Sequence, residues 1–504
     1  MKPTKIFYPL FLGAGAFIIM LSLMGKSEKA SGAFENHADI GTVNIAGNIE
    51  FNPDSQSYII SGSGQNMWFK NDDFHFAWKE MSGDFILTAH FEFIGKGVDP
   101  HRKVGWMVRQ TLETDSPYAD AVVHGDGLTS LQFRHNFDLD TQEIPAEIKS
   151  PDILQLERRG DTFIMRAAKF GEPLTETGSI EVTLKDPVLV GLAMCSHNAD
   201  VLEKAIVKNV RITKPAPADF QPYQDYGQSR LEILDVSTGE RKIVYESRDP
   251  LEAPNWTSDG KALIYNSNGL LYRFDLETRQ PTQINTDFAT NNNNDHVISW
   301  DGKKLGISNH VEGENSGGSA IFIVPIQGGT PRRITEKTPS YFHGWSPDDK
   351  YLVYTAQRNG QYDIYKISVD GGEEIQLTNQ PTLDDGSEYS PNGEWIYFNS
   401  ARTGVMHLWR MNPDGSQQEQ LTFDEWNDWF PHISPDGKSV LFLSYPPEVD
   451  AEDHPHYKHV MLRTMPFEGG EPGVVAYVYG GQGTINVPSW SPDSEKVAFV
   501  SYTF

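Results

Sequence analysis

The chain has 504 residues, 42 of them Lys or Arg and 69 Asp or Glu, for a formal charge of −27. Without a basic run anywhere, that balance excludes nucleic acid as a partner and leaves polyanions only a local positive site or a bound metal. A single cysteine, Cys195, excludes internal disulfides, and its place after the apolar run Val188 to Met194 predicts a buried, inert thiol.

Residues 1–33 read as an export segment. Lys2 and Lys5 precede an apolar run from Ile6 to Met24, and Ser31-Gly32-Ala33 offers small residues for cleavage. The run is also long enough for an uncleaved anchor. No cysteine follows it, so lipid attachment is not expected.

Residues 34–212 alternate apolar and polar positions, as in Phe85 to Phe93, Lys103 to Arg109, Thr129 to Arg134 and Ala205 to Ile212. Such strands between Gly/Asp turns predict a β-sandwich. Sugar sites need exposed rings and planar polar groups, which makes Trp68, Trp78, Trp106, Arg109, His124 and Asp126 candidates. Trp78 and Trp106 lie in alternating strands and favour the core. The close of this region, Val190-Gly191-Leu192 through Ser196-His197-Asn198 to Asn209-Val210-Arg211-Ile212, resembles the concanavalin-like jelly-roll domains attached to many glycan-degrading enzymes. Residues 213–227 are Pro-rich and read as a linker.

From residue 228 to 504 one pattern recurs six times: Asn255 to Tyr265, Val297 to Ile307, Gly344 to Tyr354, Glu388 to Phe398, His432 to Phe442 and Ser489 to Phe499. The turn residues Asp259, Asp301, Asp348, Asn392, Asp436 and Asp493 are spaced by 42, 47, 44, 44 and 57 residues, the period of a propeller blade. In Ser-Pro-Asp-Gly, Pro presets φ and Gly takes the left-handed position of a hairpin. The sixth unit stops after its second strand, so the pair Arg230 to Leu234 and Arg241 to Tyr245 is expected to complete the last blade and close the ring. The fold class is therefore all-β, a sandwich followed by a six-bladed propeller. The Trp-Ser-Pro-Asp-Gly-Lys signature resembles the TolB-type propeller repeat. With the export segment and the missing disulfides, that resemblance implies the Gram-negative periplasm or secretion.

Sorting the propeller by face places its polar residues unevenly. The leading segments carry Asn293 to His296, Tyr341 to His343, Asp384 to Glu388, Asn427 to His432 and Gln482 to Asn486, and an insertion in the fifth unit carries Asp450 to His459. An enzyme there needs a tunable base, a cation for developing negative charge and orienting polar groups. Glu388, His343, Asp385 and Lys458 are the candidates for catalysis, with Asn427, Trp429, Asn486, Arg109 and Trp68 for substrate binding. Oligogalacturonate lyase propellers are similar in kind and hold a metal through histidines and a glutamine. That likeness implies one divalent ion, Mn, Zn or Ca, at His296, His432, His454 and Gln482, although no Gln-x-x-His-x-His cluster is present. Serine hydrolase, zincin and nucleotide-enzyme motifs are absent. The leading expectation is an exported carbohydrate-active protein that binds an oligosaccharide or polysaccharide, acting as a lyase or glycoside-cleaving enzyme if catalytic. The alternative is a TolB-like envelope scaffold that binds proteins without catalysis.

Overall fold

The structure, a computed structural model, describes residues 28–29, 32–221, 224–312 and 318–504, so the export segment falls almost wholly outside it. Every regular element among the described residues is a strand, and no helix there is long and apolar enough to cross a membrane.

The first part consists of a nine-stranded and a seven-stranded sheet. Alternation explains their core: Val104, Trp106 and Val108 from one sheet meet Phe85, Leu87, Ala89 and Phe91 from the other. The nine-stranded sheet is also covered on its second face, where Phe74, Phe76, Trp78, Met107 and Tyr118 are buried. Its central strands Lys103–Arg109 and Tyr118–His124 are consequently buried at every position, which a single-faced reading of the alternation does not anticipate. Cys195 is enclosed there, and burial pushes its thiol up to about 11.

Five four-stranded sheets follow, and a three-stranded sheet closes the ring. In that sheet Gln228–Asp235 lies between Lys496–Thr503 and Arg241–Ser247, and Trp490 bridges Val497 at the position of an innermost strand. The six-bladed ring and its closure by the 230–245 hairpin are as the repeat spacing predicts.

The six turns share one hydrogen bond that the repeat hides. The first Ser or Thr hydroxyl donates to the Asp or Asn two residues on, at 2.7 Å in Thr257–Asp259, Ser299–Asp301, Ser346–Asp348, Ser390–Asn392 and Ser434–Asp436. The next residue is left-handed, and Gly260, Gly302, Gly393 and Gly437 take it at no steric cost. Asp349 (φ 54°) and Ser494 (φ 63°) occupy it in the third and sixth turns. Both use their side chains: Asp349 accepts from Trp300 N and Asp301 N at 2.9 and 3.0 Å, and Ser494 Oγ accepts from Asp436 N at 3.0 Å. Each ties its turn to that of the preceding blade.

The two parts are bound together. Glu232 in the closing blade is fully buried between Arg241 (2.7 Å) and Arg211 of the seven-stranded sheet. Tyr477 of the fifth blade donates to Glu172 O at 2.5 Å. The Pro-rich stretch is strapped to the propeller: Ala216 N donates to Tyr479 Oη at 2.9 Å and Gly227 N to Tyr457 Oη at 2.8 Å.

Candidate functional site at the channel mouth

The leading strands of the blades converge on a cavity of about 850 Å³. His343 and Asp385 are brought together there from neighbouring blades, with His343 Nε2 3.0 Å from Asp385 Oδ1. Asp385 also accepts from Thr355 Oγ1 at 2.6 Å and from Gly386 N at 2.7 Å. Burial works against the His343 cation, but the hydrogen bond and charge of Asp385 outweigh it and raise the imidazole above its ordinary value. For Asp385, burial is likewise outweighed by His343, which holds the carboxyl near 2. Asp295, on the blade before, is raised to about 6 chiefly by burial, with Asp385 adding to the shift. His454 comes from the fifth-blade insertion, and burial lowers its pKa. Its ring centroid lies 4.5 Å from that of Trp429, with the two rings inclined at 72°.

The sequence reading places Tyr341 and His456 on this face but misses Asn266, Glu252 and Tyr362 of the rim. Asn266 donates to Asn292 O and Asn293 O at 3.0 and 2.7 Å, and His456 Nε2 lies 3.1 Å from Glu252 Oε1. Tyr341 and Tyr362 face each other across one wall, their centroids 6.5 Å apart. The signal for the first group is the run Asn291 to Asn294. Glu252 and Tyr362 carry none, because they belong to ordinary-looking strand ends. Among the described residues the lining contains Glu252, Asp295, Asp385 and Glu452 but neither Lys nor Arg.

Other expected residues lie elsewhere. Glu388 does not reach this mouth. The strand Asp384–Tyr389 is bulged between Asp385 and Glu388, and Glu388 lines a separate cavity of about 230 Å³ beside Trp345, Pro435, Pro492 and other residues of the turn face. There it accepts from Ile433 N at 3.0 Å and lies 2.7 Å from His432 Nδ1, while His432 Nε2 meets Ile485 O. Lys458 begins an outer strand, exposed and outside the lining. Asn427 is buried, receiving Met406 N and donating to Val449 O. Trp429 is fully enclosed in the blade core. Arg109 is enclosed in the first part, where it donates to Thr111 O and Glu113 O. Burial under the nine-stranded sheet's cover denies it to a ligand. Trp78 and Trp106 are core residues and His124 is buried, so of that group only Trp68 and Asp126 retain exposure. Asn486 and Gln482 do line the mouth and bond to each other at 2.9 Å.

Of the four residues named for a metal, His296, His432 and Gln482 are committed to other partners. His296 Nε2 points to Ile264 O at 3.2 Å, both His432 nitrogens are engaged, and Gln482 Oε1 accepts from Asn486. No three His, Cys, Asp or Glu side chains gather as ligands among the described residues.

A closed ring of six antiparallel blades with Ser-Pro-Asp-Gly turns and a polar mouth defines a TolB-like β-propeller, and residues 342–452 match the model of the TolB beta propeller domain. An uncharacterized protein of Agrobacterium fabrum (strain C58) is 46% identical over 276 residues, which are 55% of this chain and 92% of that protein. A solved Agrobacterium tumefaciens structure, provisionally named TolB, is 45% identical with a TM-score of 0.53, covering 56% of this chain and all of that one. The chain belongs to the TolB-like propeller family of these Agrobacterium proteins. The Tol-Pal system protein TolB of Bordetella pertussis (strain Tohama I) is 27% identical over 163 residues, 28% of this chain and 33% of that protein.

Proposed function

We propose that the chain is an envelope scaffold of the TolB kind, whose channel mouth receives a segment of a partner protein. One observation carries the reading: among the described residues the mouth is lined by amides and four carboxylates with no Lys or Arg, while Glu388 lines the turn-face cavity and is paired with His432. Amide side chains pair with an extended backbone, and the carboxylates suit a lysine, arginine or terminal amine on the incoming segment. The likeness to Tol-Pal system proteins supports the partner class, and the amino-terminal export segment supports an envelope address. The two-sheet part, read as a concanavalin-like jelly roll from its stacked antiparallel layers, belongs to the same scaffold.

A second reading, a neutral oligosaccharide, draws on the Tyr341–Tyr362 pair beside those amides. The test is a photo-crosslinking residue at Asn268 on the rim, used in living cells. A discrete protein adduct that disappears with Asp385→Asn supports the scaffold. Absence of any adduct, together with glycan binding that the same substitution abolishes, would transfer the site to the sugar reading.

A further inference from the structure

A second cavity, of about 250 Å³, opens where the seven-stranded sheet meets the fifth and closing blades. Its lining includes Arg159, Arg166 and Arg211 from the sheet and Arg230 and Arg241 from the propeller, against one carboxylate, Glu448. Two further carboxylates sit behind the wall, and each is shared by two guanidiniums. Glu157 meets Arg159 at 2.6 Å and Arg166 at 2.5 Å, and Glu232 meets Arg211 and Arg241. Setting all three carboxylates against five arginines leaves an excess of two positive charges, in a chain of net charge −27. Rim carboxylates Glu176, 3.6 Å from Arg166, and Glu246, 3.3 Å from Arg230, are more than half exposed and screened by water. Arg159 is half-exposed and uses Nε alone on Glu157, so its terminal nitrogens have no protein partner among the described residues. The lining also includes Trp426, Pro446 and Pro447, with Tyr477, whose backbone carbonyl accepts from Arg241 at 2.6 Å.

We propose that this interdomain cleft binds a small organic carboxylate with a ring-like body. A guanidinium fork matches a planar carboxylate through two parallel hydrogen bonds, and the Trp426 side offers the body an apolar plane. The volume equals that of about eight waters, which suits a ligand of about ten non-hydrogen atoms. The site lies apart from the channel mouth and uses none of its residues.

Calorimetry and thermal unfolding of the full chain test this, with benzoate as probe, benzamide as its uncharged isostere and inorganic phosphate as a ringless anion. Benzoate binds one per chain and raises the Tm, benzamide does neither, and Arg159→Gln weakens benzoate about tenfold. Trp426→Ala also weakens benzoate and leaves phosphate unchanged, which checks the apolar wall without touching an ion pair. The proposal fails if benzoate at ~10 mM gives neither heat nor a Tm shift. It fails equally if benzamide or phosphate binds as well as benzoate, or if both variants bind like the parent.

Discussion

The side-chain amide of Gln56 pairs with the backbone of Ile243 as a neighbouring strand would: Nε2 donates to Ile243 O and Oε1 accepts from Ile243 N, both at 2.9 Å. Asn209 repeats the device, donating to Gly239 O at 2.8 Å and accepting from Arg241 N at 2.9 Å. Two amides from the first domain thus occupy the outer edge of the closing blade, whose unpaired backbone would otherwise face solvent or another chain.

Gln56→Ala removes both bonds and is expected to destabilise the protein by about 1–2 kcal/mol. Urea denaturation reads this as a lower midpoint at unchanged slope. A midpoint equal to the parent's would mean that water replaces the amide without loss.

Glu232→Gln leaves two buried guanidiniums facing a neutral group. The expected loss is about 3–5 kcal/mol, seen by calorimetry as one cooperative transition moved to lower temperature with both domains melting together. Two separated transitions in the parent would show that the domains unfold independently and that the Arg211–Glu232–Arg241 group does not couple them.

The His343–Asp385 pair sets a pH window. His343 is raised in the fold, so its contribution is complete below its unfolded value of ~6.5 and fades as pH rises through the folded one. Asp385 is held near 2, so its contribution is present above its unfolded value of ~3.9 and is lost as pH falls through about 2. The pair therefore stabilises most between about pH 4 and 6.5. His343→Gln should lower the Tm within that interval and flatten its fall above about pH 6.5 and below about pH 4; an unaltered profile would remove the pair from the account.

At the third turn, Asp349→Gly exchanges a strained left-handed residue for a permissive one, a gain of up to about 1 kcal/mol. It also deletes the acceptor for Trp300 N and Asp301 N, each worth about 0.5–1.5 kcal/mol. A net loss of about 1 kcal/mol is expected from chemical denaturation. A more stable variant would show that backbone strain outweighs the link between blades.

The ring was legible because its information is local and repeated: Ser-Pro-Asp-Gly turns recur at blade spacing, and the leftover hairpin announces the closure. The mouth was legible in part. His343, Asp385, His454, Gln482 and Asn486 follow from sorting loops by face. Glu388 did not, because the bulge in Asp384–Tyr389 spans the three-residue step from Asp385, and Glu388 lines the turn-face cavity instead. Trp429 and Arg109 look like ligand contacts by residue type, but burial depends on partners distant in sequence. The junction of the domains was the least visible part. Gln56 with Ile243 and Arg211 with Glu232 are pairs whose members carry no shared motif, and a Pro-rich stretch between bodies looks the same whether it is free or strapped down.

The covered seam also has an order in time. Chain emerging from its amino end presents the two-sheet domain first, the 228–247 hairpin next and Lys496–Thr503 last of all. Throughout the interval in which the hairpin's inner edge has no strand to pair with, its outer edge can already be held by Gln56 and Asn209. The part ahead of the propeller is thereby placed to hold the first half of the clasp in register until Lys496–Thr503 pairs with it.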